Sequence, residues 1–201
     1  MLDEPLSALD ANLRLQMQAE LRRLHAELGI TFLYVTHSQS EAFAMADRVA
    51  ILSDGRVQQI GTAQEVYRAP ANRFVAQFVG AYGILDGRVA TCGRVETPVG
   101  MLAAGTGHAA GTQVSYLVPA DRVSLSETPI GAENEILAEV ATEEFSGAVV
   151  TVILRLANGS EIKVQQQQSA LASLSLTPGG RVYASWPAEA GYILPNGDDE
   201  A

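Results

Sequence analysis

The chain has 201 residues, 47% hydrophobic and 18% charged, a balance that supplies ordinary apolar cores and excludes wholesale disorder. Its net charge of −10 divides as 7 basic and 9 acidic groups in residues 1–80 against 6 and 14 in residues 81–201, which argues against a nucleic-acid partner. No apolar run reaches the roughly 18 residues of a membrane span, and the N-terminus opens on acids rather than the basic stretch and apolar core of a signal peptide.

In chain order, Leu13, Met17, Leu21, Leu24 and Leu28 recur at helical spacing, with Asp10 placed to cap the helix and Gly29 placed to end it. Ile30 to Val35 follows at once, a nearly continuous apolar run of the kind expected for a strand covered on both faces. Ser38-Gln39-Ser40-Glu41 reads as a capping box opening a helix through Ala46, and Arg48 to Leu52 as a strand. Asp54-Gly55 is a hairpin turn into Arg56 to Ile60. Thr62-Ala63-Gln64-Glu65 is a second capping box whose helix must stop before Pro70, and Phe74 to Val79 forms a last helix ending at Gly80.

From about Gly83 the period becomes alternating. Ile84 to Ala90, Val114 to Val118, Ile136 to Thr142, Val149 to Leu156, Glu161 to Val164, Arg181 to Trp186 and Tyr192 to Leu194 are short candidate strands separated by Gly, Pro, Asn and Asp. Asn158-Gly159 signals a type I′ hairpin. Gly105 to Gly111, Gln165 to Gln168 and Asp198-Asp199-Glu200 read as solvated connections or tail. The single cysteine, Cys92, leaves no internal disulfide and reads as a lone buried thiol in a reducing, cytoplasmic setting. No His/Cys/Asp/Glu spacing suggests zinc.

The chemistry-bearing residues lie in the first half. Asp3 and Glu4 are adjacent acids at what would be the end of a strand, where one carboxylate can hold Mg²⁺ and the next can orient or deprotonate a water. As a bare pair they are more often a favourable helix-dipole contact. Thirty-three residues after Glu4, about one βαβ crossover, His37 follows the run Ile30 to Val35, which brings acids and imidazole to the same carboxyl edge of neighbouring parallel strands.

Leu2-Asp3-Glu4-Pro5-Leu6-Ser7-Ala8-Leu9-Asp10 resembles the Walker B motif and D-loop of ABC transporter ATPases, and Tyr34-Val35-Thr36-His37 resembles their switch-histidine strand. Ser40-Glu41-Ala42, Met45-Ala46-Asp47-Arg48, Asp54-Gly55-Arg56, Gly61-Thr62 and Pro70 to Val75 continue the likeness to importer-type subunits without a gap. The second half resembles, more loosely, the family's C-terminal OB-like transport-associated module, through Leu117 to Val123, Pro178 to Val182 and Ser185-Trp186. Pro119-Ala120-Asp121 stands where importers commonly carry Arg-Pro-Glu, so a regulatory contact through that Arg is absent from the pattern.

The resemblance implies a fold class of α/β followed by all-β. Residues 1–80 would be part of a parallel P-loop NTPase sheet with helices, and residues 81–201 a small OB-like barrel or sandwich. It implies that Asp3 holds Mg²⁺ through water, that Glu4 is the general base and that His37 senses or stabilises the γ-phosphate of ATP. Ser7 and Asp10 would face the site of a second ATPase subunit in a homodimer. The implied partners are transporter membrane subunits, with no direct membrane insertion and a peripheral place at the inner face of the cell membrane. The implied function is ATP-driven import of a small solute; Ser38-Gln39-Ser40-Glu41 and the linker are closer to polyamine or iron importers than to sugar importers.

The only lysine, Lys163, follows Ile162 in a β-patterned segment, so no Gly-x-x-x-x-Gly-Lys-[Ser/Thr] phosphate loop occurs, and the family's Leu-Ser-Gly-Gly-Gln signature and glutamine loop are missing too. The expectation is therefore a chain that is inactive alone, with apolar surface exposed on the Ile30–Val35 run and the Leu13–Leu28 helix. The alternative is a stand-alone regulatory or dimerisation module with a vestigial ATPase segment.

Overall fold

A computed structural model describes residues 1–105 and 107–195, with only the backbone of Cys92. The readings of Cys92 as a buried thiol and of Asp198-Asp199-Glu200 as a solvated tail, and the Thr106 position of the Gly105–Gly111 loop, lie outside the described residues. The chain divides into two compact units, Met1–Val75 and Ala76–Ala201.

The first unit is α/β. Strand β1 (Leu2–Asp3) pairs in parallel with β2 (Tyr34–Val35), with Leu2 opposite Tyr34 and Asp3 opposite Val35. Helix α1 (Ala11–Leu28) makes the crossover. Asp10 caps it by accepting from the Leu13 N–H, and Gly29 closes it in the left-handed conformation, φ 63°. Only the last two residues of the Ile30–Val35 run pair as a ladder, because the single neighbouring strand is itself two residues long. Helix α1 turns Arg14, Gln18, Leu21 and His25 inward and leaves Leu13, Met17, Leu24 and Leu28 exposed. On a helical wheel these apolar residues form a stripe beside the packed face. Ile30, Leu33 and Val35 are exposed as well, so the unit carries the open apolar surface that its sequence implies.

Helix α2 (Gln39–Met45) is followed by a hairpin of β3 (Val49–Ser53) and β4 (Arg56–Gly61). At its turn Asp54 and Gly55 both have positive φ, 52° and 73°, as a type I′ connection demands. Helix α3 (Ala63–Arg68) has both hydrogen bonds of its capping box, Thr62 with Glu65. Gln58 and Gln59 of β4 bind Asn72, Ala69 and Ala71, and Asn72 in turn accepts from the Val75 N–H at the start of α4 (Arg73–Val79).

The second unit is a pair of antiparallel sheets. One runs in the order β12 (Glu161–Gln167), β11 (Val149–Arg155), β10 (Asn134–Ser146), β13 (Arg181–Trp186), β9 (Ser124–Ser126). The other runs β14 (Tyr192–Pro195), β8 (Gln113–Pro119), β5 (Tyr82–Val89), β6 (Arg94–Thr97), β7 (Gly100–Ala103). Alternation sends Val150, Val152 and Leu154 of β11 and Ile162 and Val164 of β12 into one core with Leu85, Val114, Tyr116, Val118 and Trp186. Val114 to Val118 of β8, Ser115 included, is buried without alternation, so both faces of this strand are covered. Gly83 is the close-approach point between β5 and β12: a Cβ there would lie 3.0 Å from Ile162.

Two local expectations change. Gln165–Gln168 is not a loop: Gln165 to Gln167 extend β12, Gln168 opens α5 (Gln168–Leu171), and the Gln166 amide donates to the Asp121 and Val123 carbonyls. At Asn158-Gly159 only Gly159 has positive φ, 83°, and the Asn158 side chain instead accepts from the Ser160 N–H and hydroxyl. This is a longer hairpin loop with a glycine at the left-handed position, not type I′.

A buried polar network sits in the second core. Asn134, 1% exposed, accepts from the Ala103 N–H at 2.6 Å and donates to the Ala103 carbonyl at 3.0 Å. The Tyr116 hydroxyl donates to that carbonyl and accepts from Trp186 Nε1 at 2.7 Å. Burial pushes the Tyr116 phenol up to about 12, so it stays a neutral donor. Asn134→Ala strands the Ala103 N–H, and the second unit should lose about 2 kcal/mol in urea unfolding; an unchanged midpoint would show that water replaces the amide.

Candidate functional site

The parallel pairing of β1 and β2 assembles the site. Leu2 and Glu4 donate backbone N–H groups to the Leu33 and Val35 carbonyls at 2.8 and 2.9 Å, which sets Glu4 and His37 side by side just beyond the strand ends. Glu4 Oε1 and His37 Nδ1 are 2.7 Å apart. The pair is exposed, on the carboxyl edge where open α/β sheets take ligands. Hydrogen bonding to Glu4, then its negative charge, raises the His37 imidazole above its usual 6.5.

Glu4 has a left-handed backbone, φ 41°, immediately before Pro5, which itself disfavours right-handed helical geometry at Glu4. Such a conformation costs roughly 1–2 kcal/mol for a residue with a Cβ. It is braced by the Glu4 carbonyl, which accepts from the Ser7 N–H at 3.3 Å and the Ser7 hydroxyl at 3.0 Å. Ser7 thus folds back on Glu4, while Asp10 is occupied as the cap of α1. Asp3 ends β1 with its carboxylate exposed, and no donor among the described residues engages it. Of the five residues singled out by sequence, the structure unites Glu4 and His37 by side chains, Ser7 by its contact to the Glu4 backbone, and Asp3 by adjacency.

Sequence reasoning missed the groups beneath the pair. Ser38 does cap α2, accepting from the Glu41 N–H, but the reciprocal half of the expected capping box is absent. The Glu41 carboxylate, 3% exposed by residue, turns away and accepts from the Tyr34 hydroxyl at 2.8 Å and the Thr36 hydroxyl at 3.0 Å. The signal was the period of two that puts Tyr34 and Thr36 on one face of the strand. Burial, followed by hydrogen bonding to Glu41, raises the Tyr34 phenol pKa well above its ordinary value.

Hollows in the surface occur in the second unit: one of about 460 Å³ lined by Arg94 and Glu133 among others, and one of about 360 Å³ beside Ser185 and Trp186. None of Asp3, Glu4, Ser7, Asp10 or His37 lines either. No cluster of three metal-ligating side chains occurs among the described residues, and no helix there is long and apolar enough to cross a membrane.

The two-sheet unit defines the class: a profile for the TOBE domain matches residues 116–194. Over nearly its whole length the chain is similar to ATP-binding subunits of importer-type ABC transporters. It is 40% identical over 205 residues to the spermidine/putrescine import ATP-binding protein PotA of Thermobifida fusca, covering 97% of this chain and 53% of that protein. With the protein of the same name from Rubrobacter xylanophilus the identity is 41% over 203 residues, covering 96% of this chain and 53% of the relative. The chain spans about half the length of the curated relatives it matches. Among solved structures, the cytoplasmic molybdate-binding protein ModG matches at a TM-score of 0.50 and 25% identity, over 55% of this chain and 94% of that one.

The raised His37 pKa gives a signed prediction. The Glu4–His37 pairing contributes stability that is fully present below the ordinary imidazole value and is lost as pH rises through the raised one. In a histidine NMR titration His37 should titrate above 6.5 in the native chain and return to about 6.5 in Glu4→Gln; equal midpoints in the two proteins would mean the pairing does not exist in solution.

Proposed function

We propose that this chain supplies the hydrolytic edge and the regulatory domain of an ATP-hydrolysing subunit that drives import of a small solute through an ABC transporter, with a polyamine as the favoured cargo. The observation that carries the reading is the Glu4–His37 pair at the carboxyl edge of a parallel β–α–β unit, 2.7 Å apart, in a chain similar over nearly its whole length to polyamine-importer ATP-binding subunits. In this reading residues 1–80 are the rear of the ATPase domain, a partial P-loop NTPase sheet, and residues 81–201 the regulatory domain.

The residues suit their assigned work. Glu4 is the general base: Oε1 is held by His37, which leaves Oε2 to accept a proton from an attacking water. His37, its charge favoured by Glu4, meets the γ-phosphate of ATP as a donor. Mg²⁺ keeps most of its waters and needs only one or two protein carboxylates beside the phosphates of its nucleotide, so the single free carboxylate of Asp3 fits it. When bound, the ion neutralises charge on the phosphates. Ser7 and Asp10 present the turn toward a second ATPase subunit. Membrane subunits receive the assembly at the cytoplasmic face of the membrane.

A chimera joining the N-terminal portion of the Thermobifida fusca relative to residue 1 should hydrolyse ATP. There, Glu4→Gln should lower turnover by roughly 10²–10⁴-fold, the range expected for a general base. The chain alone should release no phosphate. Turnover untouched by Glu4→Gln would sink this assignment.

A second reading has one observation of its own. ModG is matched over 94% of its length, so the fold of the second unit also exists in a protein described as a molybdate-binding one. On that reading the second unit is a ligand-sensing module, and Arg94 in the larger hollow is the cation to meet an oxyanion. Calorimetric titration of the chain with molybdate decides it: saturable binding that Arg94→Ala weakens supports the module, and absence of heat at millimolar molybdate removes it.

A further inference from the structure

We propose that Glu41 is the positioning residue of the candidate site, a buried carboxylate that holds the segment bearing His37 and the segment bearing Glu4 in register. The proposal rests on the reading of Glu4 and His37 as the reacting pair, but its structural claim can be tested separately.

Burying a carboxylate is costly unless its oxygens are occupied. Glu41 is occupied from three elements. Oε2 accepts from Tyr34 of β2 and from Thr36, which immediately precedes His37. The Thr36 hydroxyl also accepts from the Ser38 N–H at 3.0 Å, and the Ser38 hydroxyl accepts from the Glu41 N–H, so on either side of His37 Thr36 is tied to the Glu41 carboxylate and Ser38 to Thr36 and to the Glu41 backbone. Oε1 faces Arg14 Nε at 3.5 Å, close enough for an ion pair but outside hydrogen-bond geometry. Arg14 Nη2 donates at 3.0 Å to the Leu9 carbonyl, the end of the turn that begins at Glu4 and carries Ser7.

The chain of contacts therefore runs from His37 through Thr36, Glu41 and Arg14 to Leu9. The Glu4–His37 contact itself is exposed and spans two segments 33 residues apart in sequence. An exposed pair of this kind contributes little to its own alignment. The buried carboxylate beneath it supplies what the surface pair lacks, a low-dielectric anchor whose polar partners approach from fixed directions. Neither a capping box nor a packing role requires Glu41 to turn from Ser38 toward Tyr34, Thr36 and Arg14.

The test uses the complete 201-residue chain labelled with ¹⁵N, in which three histidines make the imidazole spectrum simple to assign. In the native chain His37 Nδ1 should resonate as a nitrogen hydrogen-bonded to a carboxylate. In Glu41→Gln and in Thr36→Val it should move to its position in Glu4→Gln, and the Glu4 amide, bonded to Val35, should exchange about tenfold faster with solvent. Amides of the β3–β4 hairpin should keep their native protection in both variants.

A folded Glu41→Gln with native His37 Nδ1 and native Glu4 exchange overturns the proposal. If Glu41→Gln also loses hairpin protection, Thr36→Val decides: it keeps the buried charge and removes one tie, and an unmoved His37 in that variant overturns the proposal equally. The two readings part in the chimera, where turnover insensitive to Glu4→Gln defeats the phosphoryl-transfer reading without touching the NMR result.

Discussion

Leu2 and Glu4 donate backbone N–H groups to Leu33 and Val35, and these two bonds of a two-residue parallel ladder decide where every chemically interesting group of the first unit stands. A parallel pair requires a crossover, so the 18 residues of α1 must lie between the strands, and Asp10 and Gly29 set where that helix starts and stops. Once the strand ends are side by side, Glu4 and His37 meet without further chain reversal. The left-handed backbone at Glu4 is a cost of the same arrangement, met by Ser7 folding onto the Glu4 carbonyl.

Each unit has a buried polar group on which several partners converge, and in the first it accompanies a ladder only two residues long. In the second unit Asn134, Tyr116, Trp186 and the Ala103 backbone close a neutral network inside a large apolar core. In the first unit the corresponding device is charged: Glu41 with Tyr34, Thr36 and Arg14. The difference follows from position. The Asn134 amide meets a strand backbone, accepting from the Ala103 N–H and donating to the Ala103 carbonyl, and donates as well to the Tyr116 hydroxyl. Glu41 meets side-chain groups instead, the Tyr34 and Thr36 hydroxyls on one oxygen and Arg14 opposite the other, and an acceptor with two oxygens can serve several donors at once.

How much of this was legible in sequence depended on the range of the interaction. Local chemistry read cleanly: Asp10 and Thr62 cap their helices, Asp54-Gly55 turns its hairpin, and Gly80, φ 63°, ends α4. The Glu4–His37 meeting was legible because a βαβ unit has a characteristic length and a known ligand edge. The destination of the Glu41 carboxylate was not, because a capping box is a local rule and Tyr34, Thr36 and Arg14 outcompeted it through tertiary proximity. Strands β6, β7 and β9 were also missed, being three or four residues long and stabilised by pairing with distant segments rather than by any pattern of their own. The Asn158 turn failed for a related reason: its side chain found Ser160 locally, and Gly159 alone took the positive φ.

The contrast in apolar surface separates the two units energetically. The second closes its core over Tyr116, Trp186, Leu154 and Ile162, each nearly inaccessible to water. In the first, Leu13, Met17, Leu24 and Leu28 of α1, Val35 of β2 and Leu33 just before it remain open to water. Burial contributes roughly 25 cal/mol per Å², so a unit with this much apolar surface wet draws a larger share of its stability from polar contacts and caps. That weights Glu41 more heavily in the first unit than Asn134 in the second: removing an anchor from a well-filled core leaves the core, whereas removing it beneath β2 loosens the two strand ends on which the site is built.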